Sequence, residues 1–135
     1  MALLEVTNMT KRFGGLVAVN DLSLQCEAGK ILGLIGPNGA GKTTAFSAIS
    51  GFYRPEVGKV VFDGKDITGM RPDLICKMGM TRTFQVVKPF PEISVFENVM
   101  VAAYNQAPRD KEAMEITIEV LDFMGMTAIS DQLAG

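Results

Sequence analysis

Hydrophobic and polar positions alternate through the N-terminal half of the chain and then give way to helical spacing. LLEVTNM at 3–9, LVAVNDLSLQC at 16–26 and KVVFDG at 59–64 run with period two, apart from the paired leucines at the start. That pattern predicts half-buried antiparallel strands. ILGLI at 31–35 is instead a short continuous apolar run, which predicts a parallel-type strand buried on both faces. Asp63-Gly64 is a dipeptide for a tight hairpin turn with positive φ. Pro72 suits the first turn of a short helix reaching Met78 and closed by Gly79, and GMTRTFQ at 79–85 reads as a further strand. The KPFP loop at 88–91 continues neither element. Ser94 and Glu97 then form a capping box in front of Phe96, Val99, Met100 and Ala103, which share one helical face. Past a polar NQAPRD loop, Met114, Ile118 and Leu121 form the stripe of a second helix, widened by Ile116, Val120 and Phe123 and stopped at Gly125.

Composition narrows the class. With 135 residues, 47% of them hydrophobic and 21% charged, the chain has the balance of one modest globular domain. A net charge of −2 supplies no field for gripping a phosphate polymer, so nucleic acid is not an expected partner. Cys26 and Cys76 match no metal or redox spacing and read as reduced, structural thiols of a cytosolic protein. There is no histidine, which removes His-based acid–base chemistry from these residues. The N-terminus lacks the apolar core of a signal peptide, and no apolar run approaches the ~20 residues that span a bilayer. The expectation is a soluble chain that can dock on a membrane protein.

The chemistry is concentrated in GPNGAGKTT at 36–44, which fits G-x-x-x-x-G-K-S/T. An apolar strand-like run precedes it. TTAFSAISGF follows as a helix with Ala45, Phe46 and Ile49 on one side and Gly51 as the stop. Gly36, Gly39 and Gly41 let successive backbone N–H groups converge, and Pro37, Asn38 and Ala40 build the turn between them. Such a nest at a helix N-terminus is an anion site. Lys42 adds a full charge for β and γ phosphates and Thr43 a hydroxyl for Mg²⁺, and all of Gly36, Pro37, Asn38, Gly39, Ala40, Gly41, Lys42, Thr43 and Thr44 are expected to contact the nucleotide. A mere glycine-rich turn between strand and helix is the plain alternative. The dinucleotide fingerprint G-x-G-x-x-G does not fit, because position 38 is asparagine.

In order and spacing, KRFGGLVAVNDLSLQCEAGKILGLIGPNG, the loop GPNGAGKTT and TRTFQ resemble the ATP-binding subunits of ABC transporters. RFGGLVAVNDLSL, RTFQ and FPEISVFENVMVAA look most like the importers of branched-chain amino acids. The resemblance implies an α/β P-loop NTPase (RecA-like) core with an N-terminal antiparallel β subdomain and part of an α-helical subdomain. In that frame residues 1–87 are the nucleotide-binding core and 88–135 a partial helical subdomain. It implies ATP and Mg²⁺ as ligands, with Phe13 stacking on adenine and Val17 and Ala18 near base and ribose. Phe13 stands where tyrosine is commoner, and as an edge-strand aromatic it has a plainer reading. Gln85 matches the glutamine that ligates Mg²⁺ and positions water, so Lys42 and Gln85 carry the catalytic roles. By the same resemblance Lys88 to Asn98 and the helix after it lie near the surface that receives a permease helix, with Phe90, Ile93 and Phe96 as candidate contacts, although Phe96 also belongs to the core stripe of its own helix. The implied partners are a second ATP-binding subunit and membrane permease subunits. The implied location is cytoplasmic, peripheral on the inner face of the membrane.

Several parts of the family pattern are missing from these residues. A signature resembling L-S-G/Y-G-Q, a second apolar strand ending in Asp-Glu and a switch histidine do not occur. The expectation is an N-terminal fragment, an incomplete domain that binds nucleotide weakly and hydrolyses it very slowly alone. An unpaired sheet edge would make it self-associate. Another P-loop phosphotransferase, or a non-catalytic interaction fragment with a vestigial P-loop, are the competing readings.

Overall fold

The alternating N-terminal segments form a long hairpin. β1 (Ala2–Phe13) and β2 (Leu16–Glu27) pair antiparallel across Gly14 and Gly15. The computed structural model describes residues 2–135, which fall into two units, 2–82 and 83–135.

In the first unit, α1 (Lys42–Ile49) follows the glycine loop, and β3 (Val57–Phe62) and β4 (Lys65–Asp66) complete a four-stranded antiparallel sheet of order β2-β1-β3-β4. Asp63 and Gly64 turn the β3–β4 hairpin with φ of 47° and 72°, as that dipeptide predicts. β1 does not alternate throughout, because Val6 and Met9 are both buried although three positions apart. The register slips by one residue between them, with Val6 opposite Leu24 and Met9 opposite Leu22. Asn8 and Asp21 absorb the bulge at φ of 48° and 51°. The Asn8 amide Nδ2 donates to Asp21 Oδ1 at 2.7 Å, and its backbone N–H donates to Ser23 Oγ at 2.8 Å. The bulge thus returns the next apolar side chain to the core.

That core joins Val6, Met9, Val19 and Val60 of the sheet to Ala45, Ala48 and Ile49 of α1, with Ile67 and Ile75. Burying each larger side chain among them contributes about 1.5–3 kcal/mol. α1 presents its alanines and Ile49 rather than Phe46, which stays half exposed against expectation. Ile75 comes from α2 (Pro72–Lys77), which starts with Pro72 where a missing N–H costs nothing.

Two expected strands are corrected. The ILGLI run forms no strand, and Ile31 and Ile35 are 101% and 96% exposed rather than buried on both faces. GMTRTFQ is likewise irregular. A strand exists only where a second segment supplies backbone partners, and among the described residues none lies beside either run.

In the second unit, α3 (Val95–Ala103) opens with the expected capping box. Ser94 Oγ accepts from the Glu97 N–H at 3.1 Å, and Glu97 Oε2 accepts from the Ser94 N–H at 2.7 Å. Asn98 ties the KPFP loop to this helix, accepting from the Phe90 N–H at 2.8 Å and donating to the Phe90 carbonyl at 3.0 Å. α4 (Asp110–Phe123) packs on α3 through a stripe that keeps Leu121 of the expected one but not Met114 or Ile118. Ala113, Thr117 and Leu121 are buried, while Met114, Ile118 and Phe123 are exposed. Small residues let the helices approach closely, and the buried Thr117 hydroxyl is satisfied by the Ala113 carbonyl at 2.7 Å. Residues 93–96 and 130–134 are stitched together: Val95 N–H donates to Gln132 O at 2.8 Å, Phe96 N–H to Ser130 O at 2.8 Å and Ala134 N–H to Ile93 O at 3.1 Å.

Candidate functional site

The glycine loop is built by one tight turn and one close approach. Ala40 N–H donates to the Pro37 carbonyl at 3.2 Å across Asn38 and Gly39, and Gly39 has the positive φ of 82° that the third turn position needs. Gly41 caps α1 in the left-handed region, φ 83°. A Cβ there would lie 2.0 Å from the Ala18 carbonyl oxygen, so only glycine lets the loop lie against β2. No side chain caps the N-terminus of α1, and its first turn carries no acidic residue. The first N–H groups of the helix are therefore left for another acceptor, at the positive end of its dipole.

Lys42, the first residue of α1, folds its Nζ back onto the loop, donating to Gly36 O at 2.5 Å and Pro37 O at 2.7 Å. Those carbonyls hold the ammonium at the centre of the turn. Thr43 is exposed on the first turn and Thr44 half-buried beside it.

A cleft of about 390 Å³ opens beside this loop. Val17, Ala18, Val19 and Asn20 of β2 line one side, and Gly39, Ala40, Gly41 and Lys42 the other. Val17 and Ala18 thus line the same cleft as the loop residues. No acidic side chain lines the cleft. Among the described residues no group of three or more His, Cys, Asp or Glu is placed to hold a metal ion.

Phe13 does not line the cleft. It sits at the end of β1, two-fifths exposed, with Tyr53 at a centroid distance of 5.1 Å and an interplanar angle of 80°. The Lys11 ammonium stands over its ring, 5.2 Å from the centroid. Lys11 pairs with Glu56 at 2.5 Å and donates to the Arg54 carbonyl at 3.0 Å. Glu56 also accepts from the Arg12 N–H at 2.8 Å. The lysine and then this N–H hold its carboxyl below the usual glutamate value. Sequence reasoning missed Lys11, Tyr53 and Glu56, because nothing local marks a pair that meets across the sheet. It also missed Arg82, whose Nη1 donates to the buried Ser47 of α1 at 2.9 Å and whose guanidinium lies over Phe52. Gln85 belongs to the second unit, exposed in an irregular stretch, and Phe90 lies exposed beyond it. Cys26 and Cys76 are both free thiols.

The family model for ABC transporters matches residues 19–135. The chain is 38% identical to the high-affinity branched-chain amino acid transport ATP-binding protein BraF of Pseudomonas aeruginosa, over 98% of this chain and 58% of that protein. It is 45% identical to the LivG protein of the same description from Escherichia coli, over 77% of this chain and 41% of that one. Among solved structures, MJ1267, an ATP-binding cassette of an ABC transporter, superposes with a TM-score of 0.88 at 32% identity, covering 100% of this chain and 58% of that one. A nucleotide-free cassette from an ABC transporter superposes with a TM-score of 0.83 at 30% identity, again over 100% of this chain and 58% of that one. The chain thus spans between 41% and 58% of the length of these proteins.

Proposed function

Since the chain belongs to the ABC transporter family, we propose that its first unit binds Mg-ATP as part of an ATPase subunit that powers import of branched-chain amino acids. The observation that carries the reading is the loop at 36–44, where an uncapped helix N-terminus, a left-handed Gly41 and the Lys42 ammonium converge beside a cleft lined by Val17 and Ala18. The α1 N–H groups and Lys42 take the phosphates, and Lys42 does so by exchanging the Gly36 and Pro37 carbonyls for phosphate oxygens. Thr43 offers its hydroxyl to Mg²⁺ held with those phosphates. Val17 and Ala18 give apolar contact toward ribose and base, and Phe13 a π face for adenine. Gln85 enters only through the family resemblance, as the residue that assists metal and water.

Branched-chain amino acids as cargo rest on the descriptions of the relatives. A second ATP-binding subunit and membrane permease subunits as partners, and a place on the inner face of the membrane, rest on the family resemblance alone. No helix among the described residues is long and apolar enough to cross a membrane. For these 135 residues alone the proposal is binding with very slow hydrolysis, because the cleft offers no carboxylate to activate water.

Calorimetric titration with Mg-ATP, run beside Lys42→Ala, tests the reading. Saturable binding that weakens at least tenfold in the variant is expected, the loss of about 1.4 kcal/mol or more from one charge-assisted contact. Equal binding by both proteins would sink it, and turnover by this chain at about 1 s⁻¹ or faster would sink the slow-hydrolysis part.

A further inference from the structure

The cluster around Phe13 holds more order than an edge aromatic needs. Lys11 is a flexible side chain, yet only 12% of it is exposed and its ammonium is held by three groups: the Glu56 carboxylate, the Arg54 carbonyl and the Phe13 ring. Glu56 is fixed in turn by the Arg12 backbone N–H. Tyr53 meets the Phe13 ring nearly at right angles, an edge-to-face contact with its own preferred geometry. The residues come from two segments, β1 and the stretch between α1 and β3, so their convergence is a product of the fold. Phe13 itself remains 43% exposed, on the same hairpin as Val17, whose strand partner is Arg12.

We infer that Lys11 is a positioning residue for the base of a bound nucleotide: clamped by Glu56, it fixes the Phe13 ring so that the ring's exposed part is ready to stack on a purine. The inference rests on the proposed stacking role of Phe13. Two physical effects act in the same direction. The cation–π contact removes the rotational freedom that stacking would otherwise have to freeze. The ammonium also draws electron density from the ring, which favours stacking on an electron-rich purine. Lys11 acts at the base end, so its contribution is absent for a ligand with phosphates and no base.

The test compares affinities of the full chain for Mg-ATP and for Mg-tripolyphosphate, in wild type, Phe13→Ala, Lys11→Met and Lys11→Arg. The ratio of the two affinities reports the base alone, and tripolyphosphate binding reports that each variant is folded around its P-loop. Lys11→Met is expected to lower the ratio about two- to fivefold with tripolyphosphate affinity unchanged. Lys11→Arg, which keeps a cation over the ring, is expected to restore it. A ratio lost in Phe13→Ala but intact in Lys11→Met overturns the inference while leaving the stacking role standing. A ratio unchanged in Phe13→Ala overturns the stacking role and the inference with it. Equal weakening of both ligands by Lys11→Met also overturns it, because a general charge or folding effect would then account for the loss.

Discussion

Adding one methyl group at Gly41 separates two contributions to the phosphate loop. Gly39 and Gly41 have nearly the same backbone conformation, φ 82° and 83°, but a Cβ at Gly39 meets nothing within 4 Å whereas one at Gly41 falls 2.0 Å from Ala18 O. Alanine at either site carries the left-handed penalty of about 1–2 kcal/mol. Alanine at Gly41 must in addition push the loop off β2 by at least 1.0 Å, the gap between 2.0 Å and the 3.0 Å below which Cβ contacts essentially do not occur. Backbone displacement of that size in a packed region costs about 1–3 kcal/mol more. In a domain of this size each kcal/mol lowers the melting temperature by roughly 4–8 °C. Gly41→Ala should therefore melt roughly 10 °C below Gly39→Ala in differential scanning calorimetry, and should lose more affinity for Mg-ATP because the displaced loop breaks the convergence of N–H groups. Equal melting temperatures for the two variants would refute the idea that the loop leans rigidly on the Ala18 carbonyl.

Three further outcomes are expected. Ser94→Ala removes the cap of α3 and should cost about 1 kcal/mol, read as faster amide exchange in α3. The Glu97 carboxyl is held below its ordinary 4.5 by the Ser94 backbone N–H and then its hydroxyl, and Glu56 by Lys11 and the Arg12 N–H. Both carboxylates are stabilising above pH 4.5 and lose that contribution as pH falls through their lower folded values, so an acid titration followed by circular dichroism should show weakening below pH 4.5 that shrinks in Glu97→Gln. Finally, Ile31→Lys with Ile35→Lys should change stability by no more than about 0.5 kcal/mol while lowering self-association in sedimentation velocity; a loss of 2 kcal/mol or more would show these side chains to be buried.

The elements that sequence revealed are those whose cause is local. Asp63-Gly64, the Ser94–Glu97 box and the glycine loop each follow from what a few neighbouring residues do to φ or to N–H groups, so spacing alone located them. ILGLI misled because hydrophobicity reports a wish to be buried, whereas strand formation needs a second segment that spacing does not supply. The α4 stripe was displaced by about one position because packing against α3 favours Ala113 and Thr117, which a hydropathy count ranks below Met114 and Ile118. The bulge at Asn8 had a weak sign in an Asn that tolerates positive φ. The Lys11–Glu56 pair had none, since its partners meet only once the sheet has formed.

The stitch between residues 93–96 and 130–134 bears on how this region can change over evolutionary time. Because residues 93–96 and 130–134 are joined through the Val95, Phe96 and Ala134 N–H groups, everything between them behaves as a loop on a closed neck. Lengthening or shortening the NQAPRD loop inside that neck alters closure entropy only logarithmically, so a doubling of its length costs about 0.6 kcal/mol. The helix pair is thereby free to diversify in size and surface while these two segments stay joined.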